Sequence, residues 1–267
     1  MTARLESVLS KLQSNGEGAF MPFLVVGDPD LDTTVTLADA LVEAGADILE
    51  FGFPFSDPPA DGPVIQAAGE RALHAGTTPS AAFGVIERIR ARTDKPIVLL
   101  MYYNLILQYG VEAFYRRAAE VGVDGILVAD LPVELGDEAS AAAEQHGIAP
   151  IYIVSALTSD ERAKRLSDAG RGFLYLVARI GITGVRDELS DALPATIARL
   201  KEIVGLPLIA GFGISTPAHV HAVLAAGADG AITGSALVRC VGENLEDRGR
   251  MASEVRALAG SLKEATR

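Results

Sequence analysis

The chain has 267 residues, 49% hydrophobic and 22% charged, enough to bury one large core, and with no Ser-, Gly- or charge-rich linker one domain spanning residues 1–267 is expected. Thirty-five acidic against twenty-three basic side chains leave a formal charge of −12, which argues against nucleic acid or an anionic membrane as the main partner, since both need a basic footprint. The single cysteine, Cys240, excludes an internal disulfide, and no cationic start followed by an apolar run marks an export signal, so a cytoplasmic protein is expected.

Leu5, Val8, Leu9 and Leu12 stand at helical spacing and predict a short amphipathic helix over residues 3 to 13. Short apolar runs then alternate with longer segments of helical period about eight times. The predicted strands are Phe20 to Val26, Ile48 to Phe51, Ile97 to Tyr102, Gly125 to Ala129, Ala149 to Val154, Phe173 to Val177, Pro207 to Ala210 and Gly230 to Thr233. Predicted helices lie at Thr33 to Ala44, Pro79 to Arg92, Glu112 to Val121, Leu135 to His146, Asp160 to Ala169, Ala192 to Val204 and Pro217 to Ala226, with a last one from Leu245 to Ala265. Continuous apolar strands separated by amphipathic helices predict a parallel sheet covered by helices. A weak internal echo, Ala44-Gly45-Ala46-Asp47, Val121-Gly122-Val123-Asp124 and Ala226-Gly227-Ala228-Asp229, joins three helices to the strands that follow. Glycine there supplies a left-handed helix stop. Eight units in about 250 residues fit an α/β fold of the (β/α)8 TIM-barrel type with an extra N-terminal helix, and an open doubly wound sheet is the alternative.

Glu50 ends the apolar run Ala46-Asp47-Ile48-Leu49, where a strand would ordinarily stay apolar. Water-poor surroundings raise a carboxyl pKa and let it donate as well as accept a proton. Asp61 closes the proline-stiffened segment that follows, on the same C-terminal rim of the expected barrel. Two carboxylates in unlike environments suggest divided acid and base work. The alternative is structural: Glu50 salt-bridged in the core and Asp61 capping a turn.

Three glycine-containing segments follow the sixth, seventh and eighth strands: Gly181-Ile182-Thr183-Gly184, Gly211-Phe212-Gly213-Ile214-Ser215 and Thr233-Gly234-Ser235-Ala236. Each alone reads as an ordinary turn, but together they outline a phosphate cradle, because barrels commonly bind phosphate at that place. The polar segment from Ala178 to Ser190 carries Arg179 and Arg186 and is long enough to act as a lid or to be a plain surface loop. Phe23, Leu100, Leu127, Tyr175 and Phe212 lie near strand ends and either line a flat apolar pocket or pack in the core. His74, His146, His219 and His221 show no metal-ligand spacing, so no metal site is expected, and Cys240 reads as a structural thiol.

These residues resemble the tryptophan synthase α-subunit family. The resemblance rests on Glu50 followed by Pro54-Phe55-Ser56-Asp57-Pro58 and Ala60-Asp61-Gly62-Pro63-Val64-Ile65-Gln66. It continues through Pro22-Phe23, Gly27-Asp28-Pro29, Met101-Tyr102-Tyr103-Asn104, Ala129-Asp130-Leu131-Pro132 and the three glycine segments, nearly the whole chain. It implies a cofactor-free retro-aldol cleavage of indole-3-glycerol phosphate into indole and glyceraldehyde 3-phosphate. By the same resemblance Glu50 is the acid/base glutamate and Asp61 pairs with the indole N–H. Gly184, Gly213, Gly234 and Ser235 would hold the phosphate, Phe23, Leu100, Leu127, Tyr175 and Phe212 would surround the indole, and Thr183 would join the lid to Asp61. The family works in an αββα heterotetramer whose β subunit carries pyridoxal phosphate, so Asp57, Pro58, Asn104 and Pro132 mark the expected docking surface. Pro59 and Ile180 depart from the family pattern, as does the segment Ser155 to Ser159. Two rival readings keep the barrel: another phosphate-binding isomerase, or a non-catalytic or weakly catalytic subunit that binds and activates its β partner.

Overall fold

Among the described residues, eight strands pair in chain order, all parallel, and the last closes on the first. The computed structural model describes residues 3–178 and 192–267. The strands are β1 (Ala19–Val25), β2 (Leu49–Gly52), β3 (Ile97–Met101), β4 (Gly125–Val128), β5 (Ala149–Val154), β6 (Leu174–Val177), β7 (Leu208–Gly211) and β8 (Gly230–Thr233). Closure is made by the register Ala19↔Gly230 through Pro22↔Thr233, so the sheet has no free edge. The open doubly wound alternative is thereby overturned.

The helices are α1 (Ala3–Asn15), α2 (Leu31–Glu43), α3 (Pro63–His74), α4 (Pro79–Arg90), α5 (Tyr103–Tyr109), α6 (Val111–Glu120), α7 (Asp137–His146), α8 (Asp160–Ala169), α9 (Leu193–Lys201), α10 (Pro217–Ala225), α11 (Ser235–Glu243) and α12 (Arg248–Glu264). No helix among the described residues is long and apolar enough to cross a membrane.

The two-residue period of the strands sorts their side chains into two layers. Met21, Ile48, Val98, Leu127, Tyr175 and Ile232 fill the barrel interior. Their neighbours Phe20, Leu49, Phe51, Leu99, Ile126 and Leu174 point outward and pack beneath the helices. The N-terminal helix explains itself in the same terms: Leu5, Leu9 and Leu12 of α1 join the interior cluster, so this helix plugs the N-terminal floor. Its fit is close enough that a Cβ on Gly172 would come within 2.6 Å of Leu5 Cδ2.

The three-fold sequence echo marks a repeated floor device. Gly45, Gly122 and Gly227 have φ of 94°, 82° and 101°, as a left-handed helix stop requires. The aspartate two residues later does further work that the sequence did not disclose. Asp47 Oδ2 accepts the Phe20 N–H at 2.9 Å, Asp124 Oδ2 accepts the Ile97 N–H at 2.9 Å, and Asp229 Oδ2 accepts the Leu208 N–H at 2.6 Å. Each carboxylate thus fastens a neighbouring strand near its start and pairs with a cation: Lys263, Arg4 and Lys201 respectively. Lys263 is only 8% exposed. Removing one partner of a buried pair strands the other charge, so Asp47→Ala is expected to lower unfolding free energy by about 3–5 kcal/mol. Urea denaturation measures this, and a loss below about 1 kcal/mol would mean the clamp is idle.

Besides α11, two helices are absent from the predicted set. In α3 only Ala68, Gly69 and Ala72 are buried, too faint an apolar stripe to read, although Pro63 at its first turn is a start signal. The seven-residue α5 buries Ile106 alone. The helix expected from Leu135 breaks at Gly136: Val133–Leu135 is a 3-10 turn, and α7 begins at Asp137. The last helix starts at Arg248 rather than Leu245, because Asp247 caps it by accepting the Arg250 N–H at 2.9 Å.

Candidate active site

Parallel strands gather their C-terminal ends on one rim, and the candidate residues lie there or just below it. Glu50 is the second residue of β2, in register with Phe23 of β1 and Val98 of β3. Leu49 and Phe51 face the outer core, so alternation turns Glu50 into the barrel. It is 1% exposed, and neither carboxyl oxygen has a hydrogen-bond partner among the described residues. The core salt bridge weighed as an alternative is therefore not formed among the described residues. Burial alone pushes this carboxyl up to about 8, so it carries a proton at neutral pH. An orphaned acid in an apolar barrel is a standing penalty to folding, which points to a role in chemistry.

The segment after β2 brings the second acid to the same rim. Phe53 is buried, Phe55 stacks on Tyr102 with ring centroids 5.2 Å apart, and the Ala60 N–H donates to Tyr102 Oη at 3.2 Å. Gln66 Nε2 donates to the Asp61 carbonyl at 2.8 Å. The Asp61 side chain does not cap α3, whose N-cap is Gly62 without a side-chain bond. Instead it is half-buried beside the Tyr102 hydroxyl. Burial raises its pKa and the Tyr102 contact partly offsets this, leaving about 6. Tyr175 ties the two acids to one place: burial lifts its phenol well above the ordinary value, and the charges of Glu50 and Asp61 lift it further. At pH 7 one acid is protonated and the other largely ionised, beside the same ring.

The apolar candidates collect around them. Phe23, Leu127 and Tyr175 are buried and Leu100 is half-buried. Phe23 fits between two glycines: a Cβ on Gly52 would meet its Cζ at 2.8 Å, and one on Gly234 its Cδ1 at 3.3 Å. Phe212 stands on the rim, 40% exposed, edge-on to Tyr175 at 5.7 Å between centroids. With φ of 63° it is the one non-glycine residue of positive φ among the described residues. Such backbone strain is characteristic of ligand-binding turns. Gly213 follows it at φ 90° and is exposed. Next to this turn, α11 begins with Gly234 as an N-cap that offers no side-chain bond, followed by exposed Ser235. The first-turn N–H groups of a helix without a capping side chain suit an anion.

A family model described as tryptophan synthase alpha chain matches residues 9–267. The chain belongs to the tryptophan synthase α chain family. A tryptophan synthase α chain from Methanoregula boonei is 48% identical over 265 residues, covering 99% of each chain. One from Methanothermobacter thermautotrophicus is 51% identical over 247 residues, 92% of each. Among solved structures, the α subunit of tryptophan synthase from Legionella pneumophila superposes with a TM-score of 0.89 at 36% identity, covering 98% of each chain. Tryptophan synthase from Mycobacterium tuberculosis in an aminoacrylate-bound form gives a TM-score of 0.87 at 32% identity, covering 99% of each chain.

Within this tryptophan synthase α chain framework the remaining expectations separate. Thr183 and Gly184 lie outside the described residues, as do Arg179, Ile180 and Arg186. Asp57, Asn104 and Pro132 are exposed and Pro58 is half-buried, on the segments that follow β2, β3 and β4. Leu107 and Leu135 are exposed on the same segments, and Leu157 follows β5. Sequence reasoning missed three residues of the rim. Tyr102 was read as a strand end and as part of the Met101–Asn104 motif but given no role, and Ala129 and Ile153 pack against the interior cluster two residues beyond Leu127 and Ile151. Extending the inward period by one more step would have found the last two. Cys240 is buried beside Glu254, and burial together with that charge pushes its thiol up to about 11, as a structural thiol requires. A cavity of about 320 Å³ lies at the floor instead, lined among others by Leu9, Glu17, His221 and Thr266, remote from both acids.

Proposed function

We propose that this chain cleaves indole-3-glycerol phosphate to indole and glyceraldehyde 3-phosphate, with Glu50 and Asp61 dividing the proton chemistry. The observation that carries the reading is the pairing of a fully buried, protonated Glu50 with a largely ionised Asp61 beside one phenol, Tyr175. In the first step Glu50 delivers its proton to the indole carbon that bears the side chain. The positive charge this creates resides on the ring nitrogen, where the Asp61 carboxylate receives the N–H. Glu50, now a carboxylate, removes the proton of the adjacent side-chain hydroxyl. The carbon–oxygen double bond forms, the carbon–carbon bond breaks, and its electron pair returns to the ring to restore indole. Glu50 ends the cycle protonated, and no external proton, oxidant or cofactor enters the balance.

Phe23, Leu100, Leu127, Tyr175 and Phe212 would enclose the indole. The amides at Gly213, Gly234 and Ser235, with Gly184, would hold the phosphate, and Thr183 would close over Asp61. The likeness to M. tuberculosis tryptophan synthase supports a β-subunit partner; pyridoxal phosphate would lie in that partner, in an αββα assembly. Asp57, Pro58, Asn104 and Pro132 would form the contact, in the cytoplasm, with residues 1–267 acting as one barrel domain.

Purified protein incubated with indole-3-glycerol phosphate is expected to release glyceraldehyde 3-phosphate, and to do so faster with the β subunit present. No release under either condition would refute the lyase reading. Continued acceleration of the β reaction in that case would leave a binding subunit.

A further inference from the structure

Tyr102 follows the last residue of β3, serves as the N-cap position of α5 and is 2% exposed. Its side chain meets the segment between β2 and α3 at three points. The ring stacks on Phe55, the hydroxyl oxygen accepts the Ala60 N–H at 3.2 Å, and the same hydroxyl stands beside the Asp61 carboxyl. A phenol has one proton to give and an ionised carboxylate can only accept, so with a lone pair holding Ala60 the proton is free to turn to Asp61. The next residue is fixed in turn, since the Tyr103 N–H donates to Asp130 Oδ1 at 2.7 Å. Among the described residues the segment's other bonds at Asp61 are short-range: Asp61 N–H to the Pro58 carbonyl at 3.3 Å, and Gln66 to the Asp61 carbonyl. Neither reaches another strand of the barrel or restrains the carboxyl group itself.

We infer that Tyr102 is a positioning residue for the lyase reaction: its hydroxyl aims the Asp61 carboxylate at the bound ring nitrogen and its ring anchors the segment that carries it. The inference rests on the role proposed above for Asp61. A carboxylate free to rotate on a loop must be ordered in each turnover, and one held by a donor from a neighbouring strand is already aimed. The same contact sets the charge state. Among the described residues the Asp61 charge acts on the Tyr102 and Tyr175 phenols, Glu50 acts on Tyr175 and Asp130 acts on Tyr102. Of these the Tyr102 hydroxyl opposes the burial that lifts the Asp61 carboxyl, so losing it moves the titration to higher pH.

The test is Tyr102→Phe, which keeps the ring against Phe55 and deletes only the hydroxyl. In ligand-free protein, the carbon-13 titration of the Asp61 carboxyl is expected to move to higher pH while that of Glu50 stays in place. With indole-3-glycerol phosphate, kcat is expected to fall about tenfold or more with KM changed less than about twofold. The acidic limb of kcat/KM should follow the Asp61 shift, and thermal unfolding should stay close to that of the parent chain. An Asp61 titration and a kcat both unchanged by the variant would overturn the inference and leave Tyr102 as packing. The titration needs no substrate, so it decides the point even if the parent chain proves unable to cleave indole-3-glycerol phosphate, which would count against the lyase reading alone.

Discussion

Glu50→Gln is expected to lower kcat for indole-3-glycerol phosphate cleavage by about 10²–10⁴-fold, the range for deleting a general acid/base, and to make the folded protein more resistant to unfolding at alkaline pH. The two effects have one cause. Glutamine keeps the shape of the side chain but cannot hand over and retrieve a proton. It also cannot ionise inside a barrel where neither Glu50 oxygen finds a partner among the described residues. The sign follows from the two protonation states. The Glu50 carboxyl lies near its ordinary value of 4.5 when unfolded and at about 8 when folded, so between those values the folded state holds the extra proton. Its contribution to stability is fully present below pH 4.5 and is lost as pH rises through 8. Each unit of difference corresponds to about 1.36 kcal/mol, so the loss is on the order of several kcal/mol. The variant should therefore match the parent near pH 4 and exceed it increasingly toward pH 9 in urea unfolding. A constant difference across that range would show that Glu50 is solvated.

Asp61→Asn is the second large effect, a fall of about 10²–10³ in kcat, as for removal of one preorganised electrostatic partner of a transition state. An amide presents no negative charge to a ring nitrogen that becomes cationic. The same assignment predicts the shape of the parent pH profile. Activity needs Asp61 ionised and Glu50 protonated, so kcat/KM should fall below about pH 6 as Asp61 gains a proton and above about pH 8 as Glu50 loses one. Residual activity of Asp61→Asn should lack the acidic limb near 6 and keep the alkaline one. Retention of both limbs would assign the lower one to another group.

Much of this was legible in the sequence, and for identifiable reasons. The barrel was readable because interior and exterior strand faces are both apolar, giving unbroken runs such as Ile97 to Met101, and because Gly45, Gly122 and Gly227 repeat at helix ends. Glu50 was readable because a carboxyl in such a run violates the pattern. What could not be read was contact across the chain. That Asp47, Asp124 and Asp229 fasten neighbouring strands depends on register, which no local pattern encodes. That Tyr102 holds Ala60 and Asp61 depends on a meeting 42 residues apart in sequence. The helices that begin at Pro63 and Tyr103 escaped because each buries too few residues to impose a period. Function was legible at the family level because several motifs occur in order, whereas the division of protonation between the two acids comes from burial.

The central claim is that Glu50 and Asp61 act on one bound ring, and the most direct measurement is a crystal structure with a non-cleavable analogue that keeps the indole and phosphate groups. The expected complex has Asp61 about 2.7–3.2 Å from the ring N–H, Glu50 against the carbon that bears the side chain, and the phosphate on the amides of Gly213, Gly234 and Ser235. An analogue seated with its ring touching neither carboxyl, or held at the floor of the barrel beside Leu9 and His221, would contradict it.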